Sequence, residues 1–144
     1  MDLIGRLMPL RSAYCKRRQR EFTIHDCHDF PNEQFQGASL AVVGNAGYLS
    51  DLPQGEQIDR HDLVLRMNNF RVEGFEASVG HRTDIFLTNF FTDINFQNPI
   101  AREATFVVGS IPNNFLQTQG IRHRGIQHIT RGMKQLGHRE VYVP

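Results

Sequence analysis

From residue 38 onward, short apolar runs alternate with longer polar stretches. The runs are "ASLAVVG" (38–44), "DLVLRMN" (62–68), "DIFLTNFF" (84–91), "ATFVVGSI" (104–111) and "EVYVP" (140–144). Each is short and rich in β-branched or aromatic residues, so each predicts a strand. The first is almost continuously apolar, which predicts burial on both faces. Successive runs are separated by 12 to 28 residues. Hairpins need only a few linking residues, whereas crossovers between parallel strands need a dozen or more. The pattern therefore predicts an α/β fold, a mostly parallel sheet with flanking helices.

Helical spacing is clearest in "IQHITRGMKQLG" (126–137), with apolar Ile126, Ile129, Met133 and Leu136 and a stop at Gly137. "YLSDLPQGEQID" (48–59) holds Pro53 and Gly55, which limit it to a short helix or turn. Residues 1–37 read as a basic, then polar, N-terminal extension, and residues 38–144 as the α/β domain. The extension opens with "MDLIGRLMPL", amphipathic but broken by Pro9, and continues into the basic "RSAYCKRRQR". That pairing suits weak contact with an anionic membrane surface, although the plainer expectation is a solvated tail. No run approaches the ~20 apolar residues of a membrane-spanning helix, and no signal-peptide pattern is present.

Composition narrows the field. The chain of 144 residues suits one domain, and 40% hydrophobic with 22% charged residues is globular. A net charge of +1 argues against nucleic acid as a partner. Eleven Phe and no Trp predict a phenylalanine-rich core. Cys15 and Cys27 make no disulfide framework, so reduced thiols and a cytoplasmic location are expected. In "HDCHD" (25–29), His25, Cys27 and His28 are zinc-type ligands, but they are too crowded for a finger; no metal is expected.

Candidate chemistry gathers where the predicted strands end. In a parallel sheet, ligands bind at the carboxyl ends of the strands, near a switch in strand order. Gly44, Asn45, Ala46, Gly47, Asn68, Asn89 and Ser110 fall on that rim. Gly44-Asn45-Ala46-Gly47 admits two readings at equal weight. In one, backbone amides and the Asn45 amide meet a phosphate or sugar hydroxyl; in the other, Asn45 merely bonds its own turn. The stretch is not GxGxxG, so the dinucleotide fingerprint is absent. "IDRHDLVLRMNN" (58–69) and "GFEASVGHRTDIFLTNF" (74–90) read alone as corner, strand and loop. "RHRGIQH" (122–128) could face a phosphate or acidic glycan, and a solvated loop is the expectation.

Taken together, residues 40–90 resemble sialylmotif L of the eukaryotic-type sialyltransferases, glycosyltransferase family 29. The family pattern runs Cys-Ala-Val-Val-Gly-Asn-Ser-Gly, then Ile-Asp-x-His-Asp to Arg-Met-Asn, then Gly-Phe-Glu and Val-Gly-x-x-Thr. This chain has "LAVVGNAG", "IDRHDLVLRMN" and "GFEASVGHRT" in the same order. The resemblance implies a Rossmann-like sheet of GT-A-type variant, seen as an incomplete nucleotide-binding half over residues 38–144. It further implies a CMP-sialic acid donor, or a related nonulosonic acid, and inverting transfer to a glycan acceptor hydroxyl. Donor contacts would come from Asn45 and Asn68, with no metal or cofactor.

Departures stand at Leu40, Ala46, Asn69-Phe70 and Ser78, where the family has Cys, Ser, Ala-Pro and Asp. The family's general-base histidine belongs to downstream motifs expected beyond Pro144, so no base is assigned and this chain alone is expected to be inactive. A missing anchor would move the location to the Golgi membrane. The alternative is a non-catalytic nucleotide-binding or interaction module. Phe86, Phe90, Phe91 and Phe106 are expected to leave a partly uncovered face that favours self-association.

Overall fold

The computed structural model describes residues 22–91, 93–110 and 119–143. At its centre lies one six-stranded sheet: β1 (Thr23–Asp26), β2 (Leu40–Val43), β3 (Leu63–Met67), β4 (Ile85–Thr88), β5 (Phe106–Gly109) and β6 (Glu140–Val143). The spatial order is β1-β6-β5-β4-β3-β2, and every neighbouring pair is parallel. All five strands predicted from the apolar runs are present. β1 is additional and lies inside residues 1–37, the stretch read as an extension. Its "TIHD" is too short and polar to announce a strand, and it forms by pairing Thr23 through Asp26 with Glu140 through Val143. The N-terminal "MDLIGRLMPL", the basic cluster and Cys15 lie outside the described residues.

From β2 to β6 the chain moves across the sheet one strand at a time, always in the same direction. Crossovers between parallel strands are right-handed, so this series of connections falls on one face. Its helices are α1 (Gly55–Asp59), α2 (Glu76–Val79), α3 (Pro99–Glu103) and α4 (Gln119–Leu136). Buried residues agree: Val43, Val64, Phe86, Val107 and Val141 pack with Phe70, Phe90, Phe96, Ile129 and Met133. The core is phenylalanine-rich, as predicted. The described strands β2 to β6 contain no reversal of order, so the rim here is not marked by a switch point.

Among the described residues, aromatic rings cap the opposite face near β5 and β6, and Ile85 of β4, beside Phe106, is buried there too. There Phe30 and Phe35, from the 3-10 turns Cys27–Asp29 and Asn32–Phe35, set their rings 5.2 and 5.5 Å from Phe106. β2 lies at the other edge, where Leu40 is 46% and Val42 60% exposed. The expected burial of this strand on both faces therefore fails, because an edge strand of a one-way sheet is packed on one side. The expectation of a partly uncovered face around Phe86, Phe90, Phe91 and Phe106 fails at Phe86, Phe90 and Phe106 and holds in part at Phe91, which is half-buried. Phe86 and Phe90 are fully buried, and Phe106 lies beneath Phe30 and Phe35. Among the described residues, the large apolar side chains most exposed are Val42 and Leu40 on the outer face of β2, followed by Leu52 and Phe75.

α4 begins earlier than predicted and takes in residues 122–128, so "RHRGIQH" is helical rather than a loop. It stops where predicted: Gly137 adopts φ 78, a left-handed conformation suited to glycine, and its N–H bonds Met133 O at 2.9 Å. Ile129, Met133 and Leu136 are buried on the predicted stripe. Around Pro53 the 48–59 segment divides into a 3-10 turn, Gly47–Asp51, and α1.

Candidate functional site at the carboxyl rim

β2, β3, β4 and β5 are neighbours, so the residues that follow them share one edge of the sheet. Hydrogen bonds continue the strand pairing past the ends of the strands. Asn45 Nδ2 donates to Met67 O at 3.0 Å. The Asn68 N–H bonds Leu87 O at 2.9 Å, and the Ser110 N–H bonds Thr88 O at 2.8 Å. Asn68 Oδ1 accepts the Asn89 N–H, and Asn89 Oδ1 accepts the Phe91 N–H, both at 3.2 Å. Asn68 sits at φ 50, a left-handed conformation that asparagine tolerates better than most residues.

The asparagines thus have structural work, yet each keeps a free group. Among the described residues, nothing bonds Asn45 Oδ1 or Asn68 Nδ2. Gly44 and Gly47 have ordinary φ values, and a Cβ built on either meets no atom within 4 Å. Neither the backbone nor the packing requires glycine there, so the open space above them is free for a close-approaching group. Gly47 opens only a five-residue 3-10 turn, so a helix macrodipole adds little at this corner.

The other half of the motif lies at the amino end of the sheet and holds the fold together. Arg66 is 1% exposed; its Nε bonds Arg82 O at 2.9 Å, its Nη2 bonds Val79 O at 2.5 Å, and its guanidinium lies over Phe70. Burial pulls its pKa down, and the nearby Asp59 charge opposes that shift. Asp59 accepts the N–H groups of His81 and Arg82. Its partial burial raises its pKa, but these bonds together hold the carboxyl below its usual range. Gly80 adopts φ 75 directly against Asp59 Oδ1, where a Cβ would come within 2.5 Å. Arg82 ties Asp59 O, His61 O, Asp62 O and the Asp84 carboxylate together. Asp62 receives both the N–H and the hydroxyl of Ser39, which lower its pKa.

His61 and His81 belong to this amino-end network, remote from the rim asparagines. His28 follows β1, at the opposite edge from Asn45, roughly 24 Å away at about 4.8 Å per strand spacing. The ligand atoms of Asp26, Cys27 and His28 lie within 4.8 Å of one another. His25 is not among them; its ring stacks on Tyr142 at 5.0 Å.

An all-parallel sheet with flanking helices and polar side chains at its carboxyl ends is a Rossmann-like α/β architecture. The sequence profile of "Glycosyltransferase family 29 (sialyltransferase)" matches residues 14–120, and the chain belongs to that family. A sialyltransferase-like protein 2 from Oryza sativa subsp. indica is 55% identical over 51 residues, 35% of this chain and 13% of the relative. A beta-1,6-galactosyltransferase from Arabidopsis thaliana is 47% identical over 51 residues, with the same 35% and 13% coverage. A crystal structure of a mammalian sialyltransferase is 31% identical and superposes with a TM-score of 0.43, covering 69% of this chain and 40% of that one. The chain thus spans a minor part of the relatives it matches.

Proposed function

We propose that the rim binds the cytidine nucleotide of CMP-sialic acid, or of a related nonulosonic acid, as the donor site of a sialyltransferase-type glycosyltransferase. One observation supports this most: the two asparagines that motif L implies as donor contacts stand side by side after β2 and β3, with Asn45 Oδ1 and Asn68 Nδ2 uncommitted among the described residues. An amide oxygen and an amide N–H suit a ribose hydroxyl and a phosphate oxygen. Gly44 and Gly47 leave room for the ligand to approach the backbone. In the transfer, an acceptor hydroxyl oxygen bonds the anomeric carbon, the bond to the phosphate oxygen breaks, CMP departs, and a base takes the hydroxyl proton. Donor binding on this reading uses side chains and backbone, with no metal.

Calorimetric titration with CMP, UMP and AMP tests the proposal. CMP is expected to bind most tightly, with an affinity unaltered by EDTA. Asn45→Ala and Asn68→Ala should each weaken it by roughly 0.5–1.5 kcal/mol. Equal affinity for AMP and CMP would sink the assignment. The Arabidopsis relative favours a second reading, in which galactose is transferred, and tighter binding of UMP than CMP would favour that one.

A further inference from the structure

A second concave surface, lined by none of the rim asparagines, lies between the 90–97 loop and α4. It encloses about 170 Å³. Its base is aromatic, with Phe91 half-buried and meeting the His128 ring edge-on at 6.4 Å. Asn95, Gln97 and Gln135 supply amides around it, and Arg131 supplies a cation. No Asp or Glu lines it. Among the described residues, the Arg131 guanidinium has neither an ion-pair nor a hydrogen-bond partner, and the side-chain amides of Gln97 and Gln135 have none.

The loop is held in place from both ends. Phe90 adopts φ 58, a left-handed conformation that a bulky residue rarely takes. Its ring is locked against Gly109 and Gly132, where an added Cβ would come within 2.7 and 2.5 Å of it. Farther along, Asn69 grips the loop by two bonds: its Nδ2 donates to Asp93 O at 2.9 Å, and its Oδ1 accepts the Asn95 N–H at 2.7 Å. Asn98 Nδ2 adds a bond to Phe70 O at 3.2 Å. Asn69-Phe70 is where this chain departs from the motif's Ala-Pro, so the departure itself shapes the loop.

We infer that this cleft binds a single carboxylate-bearing sugar ring, an acidic residue of the glycan acceptor. This rests on the glycosyltransferase reading above. A guanidinium pairs with a carboxylate through two parallel hydrogen bonds. Amides match the mixed donors and acceptors of sugar hydroxyls, and the aromatic base formed by Phe91 and His128 gives the cleft an apolar floor. The space is smaller than the ~300 Å³ at which drug-sized pockets begin, which suits one ring rather than an oligosaccharide. Asn69 is a positioning residue: it touches no ligand and holds the loop that does.

The test is titration of the full chain, followed by amide NMR, with methyl β-glucuronide, the methyl glycoside of N-acetylneuraminic acid, and methyl β-galactoside. CMP affinity is measured in parallel. Either acidic glycoside should shift the amides of residues 91–97 and 128–135, and the neutral galactoside should bind at least tenfold more weakly. Arg131→Gln should cost about tenfold in acidic-sugar affinity, as expected for a bond to a charged group, and leave CMP affinity unchanged. Asn69→Ala should weaken both acidic and neutral sugars while Asn69→Asp, which keeps the acceptor for the Asn95 N–H, loses less. Equal affinity for glucuronide and galactoside, no binding of any sugar, or an Arg131→Gln variant equal to the parent would overturn the inference. Because CMP meets other residues, loss of CMP binding with sugar binding intact would reject only the donor site.

Discussion

Asn68 shows how much one residue of the motif is asked to do. Its backbone is left-handed, its Oδ1 receives the Asn89 N–H, and its Nδ2 is open toward the rim. Replacement by alanine should therefore cost stability as well as affinity, about 1–2 kcal/mol from the left-handed backbone alone. Asn68→Gly separates the two effects, because glycine accepts the conformation and loses only the side chain. Denaturant unfolding should show Asn68→Gly near the parent and Asn68→Ala clearly below it, with CMP affinity reduced in both. Equal stability for the two variants would remove the backbone argument. Arg66 has no such double role. Arg66→Met leaves Val79 O buried and Arg82 O part-buried without their donor, so a loss of about 1–3 kcal/mol is expected from the same unfolding curves. A parent-like midpoint would show that water replaces the guanidinium.

Among the elements, α4 is held by what it lacks. Gly132 faces the Phe90 ring at a distance that leaves no place for a methyl group. Glycine to alanine normally strengthens a helix by about 0.8–1.0 kcal/mol. Here the overpacking cost of typically 1–3 kcal/mol outweighs that gain, so Gly132→Ala should lower the melting temperature; a rise would mean that Phe90 moves aside freely. Just past α4, His138 Nε2 bonds Arg102 O at 3.0 Å and so ties the helix end to α3. Burial holds its pKa below 6.5, with the Arg102 and Ala101 carbonyls only partly offsetting the shift. A histidine lowered in the folded state contributes stability above pH 6.5 that is lost as the pH falls through its folded value. Melting temperature should therefore fall between pH 7 and 5, and less so in His138→Gln. An identical slope in both would place the effect elsewhere.

The strands and the stop of α4 were legible because apolar runs and glycine report directly on backbone choice. β1 was not, since "TIHD" becomes a strand only when β6 supplies its partner. The rim position of the asparagines was legible from where the predicted strands end. The roles of Arg66, Asp59 and Arg82 were not, because their bonds run to carbonyls and amides some 13 to 23 residues away, which side-chain identity does not reveal. The cleft was hidden for the same reason, as it joins residues 91–97 to α4 across β5.

For the whole molecule, the one-way winding leaves one sheet face thinly covered, and Leu40 and Val42 lie on it at an open edge. Exposed edge strands with apolar side chains invite pairing with other chains. Leu40→Thr with Val42→Thr should reduce concentration-dependent sedimentation while changing stability by no more than about 0.5 kcal/mol per site, as for surface positions. Unchanged sedimentation would exclude this edge as the contact.

The pairing of Thr23 with Glu140 also has a consequence in time. β2 to β6 can be laid down in the order in which they leave the ribosome, each beside its predecessor. β1 emerges before all of them and has nowhere to go until β6 exists, so its closure spans almost the whole described chain. Contacts of such long sequence separation form slowly. In a refolding experiment with pulsed hydrogen exchange, the amides of residues 23–26 should gain protection last, well after those of β3 and β4. Simultaneous protection of all six strands would mean that the sheet assembles in one step.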